Sequence, residues 1–246
     1  MLLQRYPGLQ VQEGRATHVE DDVVVEERFQ LYLNDRLLTE LVASPDQLEE
    51  LGAGFVTTEG VADHVDLVQV SGNRVSVHAE TSGASSWVLR SGGAVGSGGK
   101  PKTVHSSLVL AQHDVFDVIR QTQSEIWKKT GAVHCSVLLM DGKMVVRSSD
   151  VGRHNTIDKV VGFAILHGID LARCVVGCTG RQPAGMVNKV ANAGIPVIVS
   201  KAAPTNRGIL VAQEAGVTLV CFARESRFTV YSHPYRIEGL AGAQWP

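Results

Sequence analysis

Cysteine is scarce: the 246 residues contain four, Cys135, Cys174, Cys178 and Cys221. That excludes a disulfide framework, and a chain of this length buries an adequate core without such staples. No run approaches the roughly 18 consecutive apolar residues of a membrane span, so no membrane association is expected. The N-terminal MLLQRYPGLQVQEG lacks the apolar core and cleavage site of a secretory leader, which points to a reducing cytoplasm. Charge of neither sign dominates. The 23 Lys and Arg against 25 Asp and Glu leave a net −2, which argues against a nucleic-acid binder.

Two familiar ligand motifs are also missing. His78-Ala-Glu80 has the H-x-E spacing of zinc deaminases, but the partner P-C-x-x-C occurs nowhere, and no metal site is expected. The glycine-rich run before Lys100 has no glycine six positions earlier, and Pro101 stands where a P-loop needs Ser or Thr.

What is present is an ordinary globular composition, 44% hydrophobic and 20% charged. The charge is uneven. Residues 105–246 carry 15 basic and 10 acidic groups, a net of +5, and residues 1–104 a net of −7. An anionic ligand is therefore sought in the C-terminal part. Residues 91–99, SGGAVGSGG, have almost no side chain to bury and read as a mobile loop. A domain boundary is placed after it. Residues 1–104 form a smaller N-terminal α+β domain, and residues 105–246 form the larger one.

In the first part, residues 23–43 read as a hairpin turning at Asn34-Asp35. Ser44-Pro45-Asp46 reads as a helix start capped by Ser44, running to about Val56. Strands follow at Leu67–Val70 and Arg74–Glu80. In the second part, Ala111–Lys129 reads as one helix with Val115, Val118, Ile119 and Trp127 on its apolar face. Val133–Met140 and Lys143–Arg147 form a hairpin at Asp141-Gly142. Helices at Asn155–His167, Gly185–Ala193 and Gly208–Ala215 then alternate with strands at Cys174–Cys178, Val197–Ser200, Val217–Ala223 and Phe228–Tyr231. Short apolar strands alternating with helices predict an α/β fold whose sheet is covered on both faces.

Sites in such sheets lie in the loops beyond the strand ends. Four of these loops carry cations. Asp150-Val-Gly-Arg-His-Asn-Thr-Ile-Asp-Lys159 puts Arg153 and His154 at a helix start, where free N–H groups and a guanidinium suit a phosphate. Asp158, one turn on, is placed to orient the His154 ring. The same residues also fit a plain helix start with a surface arginine. The other loops are Cys178–Met186 with Arg181, Ser200–Arg207 with Lys201 and Thr205, and Phe222–Arg227. Cys174 and Cys178 share one face of an apolar strand and read as core. Cys135, at a strand start beside His134, is the one remaining thiol candidate.

Together these segments resemble the accessory sulfurtransferase (FdhD) family of formate dehydrogenase. The family pattern includes T-G-x-x-H, E-D-V-G-R-H-N-x-x-D-K-x-x-G, S-G-R and S-x-x-A-P-T, followed by L-T-L-x-G-F and V-Y. Here they stand as Thr130–His134, Ser149–Gly162, Thr179-Gly-Arg181, Ser200–Thr205, Val217–Phe222 and Val230-Tyr231. Gly54-Phe55 and Glu59-Gly60 match a further motif, and the resemblance runs collinearly from about residue 20 to 236.

The resemblance implies a three-layer domain of the cytidine-deaminase type without the deaminase zinc. It also implies a sulfur carrier that takes sulfur from a cysteine desulfurase. The recipient would be the molybdenum, or tungsten, bis(molybdopterin guanine dinucleotide) cofactor of formate dehydrogenase. GDP would mimic that cofactor, and a homodimer is implied. The family's guanine-dinucleotide segment maps onto Phe222, Ala223, Arg224, Glu225, Ser226 and Arg227. Arg153, His154, Arg181 and Thr205 complete the expected pocket.

The sequence departs from the family where sulfur is carried. The family's C-G-x-C-G cysteines fall on Gly93 and Gly96, and glycine offers no thiolate. Ser149 and Gly185 each replace a family glutamate. Either another thiol such as Cys135 serves, or the chain binds and delivers cofactor without moving sulfur. A non-catalytic relative holding a nucleotide or cofactor in the same pocket is the alternative. A hydrolase or deaminase is disfavoured, because ligands and nucleophile are missing.

Overall fold

A computed structural model of the chain describes residues 2–81 and 101–242, with the backbone of two short strands between them. The first part contains β1 (Leu3–Gln12), β2 (Arg15–Val24), β3 (Glu27–Leu33), β4 (Arg36–Ala43), α1 (Leu48–Thr58), β5 (Ala62–Ser71) and β6 (Arg74–Thr81). The short strands β7 (Val88–Leu89) and β8 (Val95–Gly96) pair antiparallel. The expected mobility of residues 91–99 otherwise lies outside the described residues.

The second part runs α2 (Gln112–Gln121), α3 (Glu125–Thr130), β9 (His134–Met140), β10 (Lys143–Asp150) and α4 (Arg153–Leu166). It continues with β11 (Cys174–Cys178), α5 (Ala184–Asn192), β12 (Val197–Ser200), α6 (Asn206–Ala215), β13 (Thr218–Cys221) and β14 (Thr229–Ser232). Among the described residues no helix is long and apolar enough to cross a membrane.

The larger sheet has the order β10-β9-β11-β12-β13-β14, with β11, β12 and β13 parallel and β9 and β14 reversed. Pleating sends alternate side chains to opposite faces. Val176 and Ile198 enter one core with Ile157, Val160 and Val187 of α4 and α5. Val175, Val197 and Val199 enter another with Val115 and Val118 of α2. The sheet is thus buried on both faces between helices, the three-layer α/β arrangement that the alternation predicts.

The smaller sheet, β4-β3-β6-β5, is covered on one face by α1, whose Leu51 and Phe55 pack with Leu31, Val75 and Val77. Its turns follow local chemistry. Asn34 and Asp35 both take positive φ (47° and 64°), as a two-residue hairpin turn requires, and Asp141-Gly142 repeats this at 51° and 73°.

Helices α1 and α4 cross at two glycines. A Cβ on Gly54 would stand 1.8 Å from the Asp158 carbonyl oxygen, and one on Gly162 would stand 1.8 Å from that of Glu50. Buried ion pairs flank the crossing. Lys159 Nζ lies 2.7 Å from both Asp46 and Asp150, while Lys189 Nζ lies 2.6 Å from Glu59 and 2.9 Å from Asp158.

Three local expectations are corrected. Ser44 does not cap α1. Its backbone N–H donates to Asp150 Oδ2 at 3.0 Å, and the helix begins after Gln47, which is left-handed (φ 47°). The long helix through Lys129 is two helices. Ser124 leaves helical geometry and its Oγ accepts from Trp127 N–H at 3.2 Å, so a local cap ends the run. Residues 3–24 form a separate hairpin, so Val23 and Val24 belong to β2. Nearly all of this hairpin is exposed, and no apolar alternation betrays it.

Candidate functional site

One edge of the larger sheet collects the cation-bearing loops. β10, β11, β12 and β13 all end there, and β9 begins there, Asp150 standing opposite His134 and Cys178 opposite Ser200. Arg153 opens α4 immediately after β10. Its side chain lies over Gly180 of the next loop, where a Cβ would approach Arg153 Cβ to 3.0 Å. Arg153 Nε is buried without a hydrogen-bond partner. No carboxylate of the described residues comes within 4 Å of Arg153, Arg181, Lys201, Arg207 or Arg227. Five unpaired cations on one edge make a positive surface that an anion can neutralise.

The loops are tied to one another through the backbone. Lys201 N–H donates to Cys178 O at 3.1 Å, Ala223 N–H to Ser200 O at 3.0 Å, and Phe222 N–H to Ala202 O at 3.1 Å. Ser200 Oγ donates to Gly180 O at 2.7 Å. Thr205 spends its hydroxyl as the cap of α6, accepting from Gly208 N–H at 3.1 Å, and stands exposed at the same edge. In the mapped segment Phe222 is left-handed (φ 51°) and 39% exposed, whereas Ala223 is buried. Arg224 donates to the carbonyls of Lys201 and Ala223. Its own N–H donates to Arg227 O at 2.8 Å, which turns the segment back with Glu225, Ser226 and Arg227 exposed.

The site's histidines are held neutral. Burial, with the charges of Arg153 and Arg181, lowers the pKa of His134. Burial, then Lys189, Arg153 and His134, brings His154 down to about 4. Asp158 does not orient that ring. Its carboxylate is taken by Thr58 Oγ1 at 2.6 Å and Lys189 Nζ at 2.9 Å, because α1 and α5 close over it. Gly185 sits beside His154. A Cβ added to it would stand 3.7 Å from His154 Nε2, in ordinary contact range.

All four thiols are free and buried. Burial raises the Cys135 pKa and pushes Cys174 and Cys178 up to about 11, with Cys221 raised further. Gly93 lies outside the described residues, and Gly96 contributes only its backbone pairing in β8.

The edge also borders a cavity of about 410 Å3 between α3 and the start of β9, walled by Trp127, Val133, His134, Thr179 and Lys201. The sequence pattern placed Trp127 on a core face. Only the Ser124 cap signal within that run hinted otherwise.

Known proteins match the chain over most of its length. A family model described as the FdhD/NarQ family matches residues 24–238. The chain belongs to the FdhD/NarQ family. The sulfur carrier protein FdhD of Wolinella succinogenes is 34% identical over 92% of this chain and 86% of its own length. That of Methanothermobacter thermautotrophicus is 32% identical, over 89% and 92%. A crystal structure from Desulfotalea psychrophila, provisionally described as a formate dehydrogenase accessory protein, superposes with a TM-score of 0.81. It is 29% identical, and the match covers 96% of this chain and all of that one. The FdhD/NarQ assignment and the mixed α/β fold thus rest on sequence and structure alike.

Proposed function

We propose that this chain is a cytoplasmic accessory protein of formate dehydrogenase, of the sulfur-carrier type. It binds the molybdenum, or tungsten, bis(molybdopterin guanine dinucleotide) cofactor at the cationic sheet edge and delivers it to the enzyme. The observation that carries this reading is the convergence of Arg153, Arg181, Lys201 and Arg227 without carboxylate partners. Arg153 Nε is desolvated and unpaired there. Buried donors left without acceptors are costly, and phosphate oxygens satisfy them. The client, formate dehydrogenase, comes from the description of the similar Desulfotalea psychrophila structure as its accessory protein. Cysteine desulfurase and a second copy of the chain are the further partners that the family reading proposes.

The described thiols are buried with raised pKa values, so little thiolate is available to form a persulfide. Glycines at positions 93 and 96 favour a second reading, a non-catalytic relative that holds cofactor or nucleotide without moving sulfur.

Calorimetry with GDP tests the shared part of both readings. GDP is expected to bind more tightly than guanosine and to weaken as salt is added, since exposed charge pairing is screened. Arg153→Lys is expected to weaken GDP by about tenfold, because an ammonium does not reproduce a guanidinium's paired contacts. GDP binding no tighter than guanosine would remove the phosphate-centred site.

A further inference from the structure

The end of the larger sheet away from the cation-bearing loops carries a second cavity, of about 310 Å3. Its floor is apolar and buried, made by Leu110, Val118, Leu139 and Val175. Helix α2, the Asp141-Gly142 turn and Arg173, just before β11, surround it. Three carboxylates, Asp114, Asp117 and Asp141, stand there against one cation, Arg173. Asp141 pairs with Arg173 at 2.5 Å and Asp117 pairs with Arg120. Asp114 accepts from Ala111 N–H at 3.0 Å and has His113 Nε2 at 3.4 Å. Ion pairs as exposed as these hold little energy, so a cation brought in over an apolar floor competes for them.

The cavity also has an open backbone edge. Leu110 bridges Ile237 in parallel. Its N–H donates to Arg236 O at 2.9 Å, and its carbonyl accepts from Glu238 N–H at 2.8 Å. Val109 lines the cavity, is 57% exposed and makes no backbone hydrogen bond among the described residues. Successive residues of a strand aim their N–H and C=O groups to opposite edges, so those of Val109 point away from Ile237. An extended chain laid along residues 108–110 can take up both groups. A side chain with an apolar stem and a cationic head then fits the pocket, its stem on Leu139 and Val175 and its head among the carboxylates. Arginine suits best, because its planar fork meets a carboxylate with two hydrogen bonds.

We propose that this groove docks an extended, arginine-bearing segment of a partner protein, paired to the Val109 edge with the guanidinium between Asp114, Asp117 and Asp141. The groove lies at the far end of the sheet from the anion-binding loops, so a partner can dock there while those loops are occupied. Its occupancy does not depend on what the cationic edge holds.

The test is an NMR titration of the methyl-labelled protein with the capped heptapeptide Thr-Val-Thr-Arg-Thr-Val-Thr, its citrulline counterpart and arginine amide. The arginine peptide is expected to shift the methyl signals of Val109, Val118 and Leu139. Those of Val133 and Val151, at the opposite edge, should stay in place. Citrulline keeps the shape and loses the charge, so its peptide should bind about tenfold more weakly. Val109→Arg, an exposed change that sets a like charge on the rim, should weaken the arginine peptide by about tenfold with the thermal midpoint unchanged. Equal affinity of the two peptides overturns the proposal, as does arginine amide binding as tightly as the heptapeptide. Absence of shifts at the groove methyls with millimolar peptide also overturns it. The peptide comparison is made on the parent, so it decides the matter even where Val109→Arg fails to fold.

Discussion

His154 converts its surroundings into a pH dependence. Its ring is half-buried and faces Lys189 of α5, Arg153 of its own helix and His134 of β9, while the Asp158 carboxylate below is held by Lys189 and Thr58. Its pKa falls from 6.5 to about 4. Between those values the unfolded chain takes up a proton that the folded chain refuses. Stability is therefore full above about pH 6.5, declines as pH falls toward 4, and levels off below that. The total loss from this one residue is at most about 3 kcal/mol. Urea midpoints of the parent should fall between pH 7 and pH 4.5, and those of His154→Gln should fall less. The same slope in both proteins would assign the pH dependence to other groups. At this scale Arg153 and His154 were legible in the sequence, because a helix start after a strand concentrates donors whatever lies around it. The partners of Asp158 were not, since Thr58 and Lys189 lie 100 and 31 residues away along the chain.

Helix α1 shows how packing reverses a propensity. Alanine is a better helix former than glycine by about 1 kcal/mol, so Gly54→Ala in isolation should stabilise. The added Cβ would fall 1.8 Å from the Asp158 carbonyl, and backbone cannot yield cheaply. Overpacking costs of about 3 kcal/mol or more are expected, so the net sign is destabilising. Gly185→Ala, whose Cβ meets its nearest neighbour at 3.7 Å, should be tolerated. Thermal denaturation of the two variants compares them directly, and equal midpoints would show that the helices can separate at no cost. Strands that are continuous apolar runs, β9, β11 and β12, and helices α4 to α6, which end near glycines, were read from the sequence close to their observed bounds. The failures were the start of α1, placed at Ser44 instead of Gln47, α2–α3, joined across a cap, and β1–β2, whose sparse apolar residues give no one-sided pattern.

For the whole molecule, the question is whether sulfur passes through this chain. With glycines at 93 and 96, a strain lacking its own accessory protein should recover little formate dehydrogenase activity from the parent. It should gain activity when Gly93→Cys and Gly96→Cys are introduced together. Full activity in the parent that survives Cys135→Ala would show that the client needs delivery alone. Full activity that is lost in Cys135→Ala would move the nucleophile to that buried strand.

By itself the sequence determined the layered α/β class, the strand-end loops and the family, because each is written in local periodicity and in contiguous motifs such as Asp150–Lys159. Tertiary structure decided the rest. Which cations stand without partners, that two helices meet backbone to backbone at Gly54 and Gly162, and that Trp127 walls a cavity rather than a core are all set by residues far apart in the chain. Periodicity reports which face of an element is apolar, but not what that face will meet.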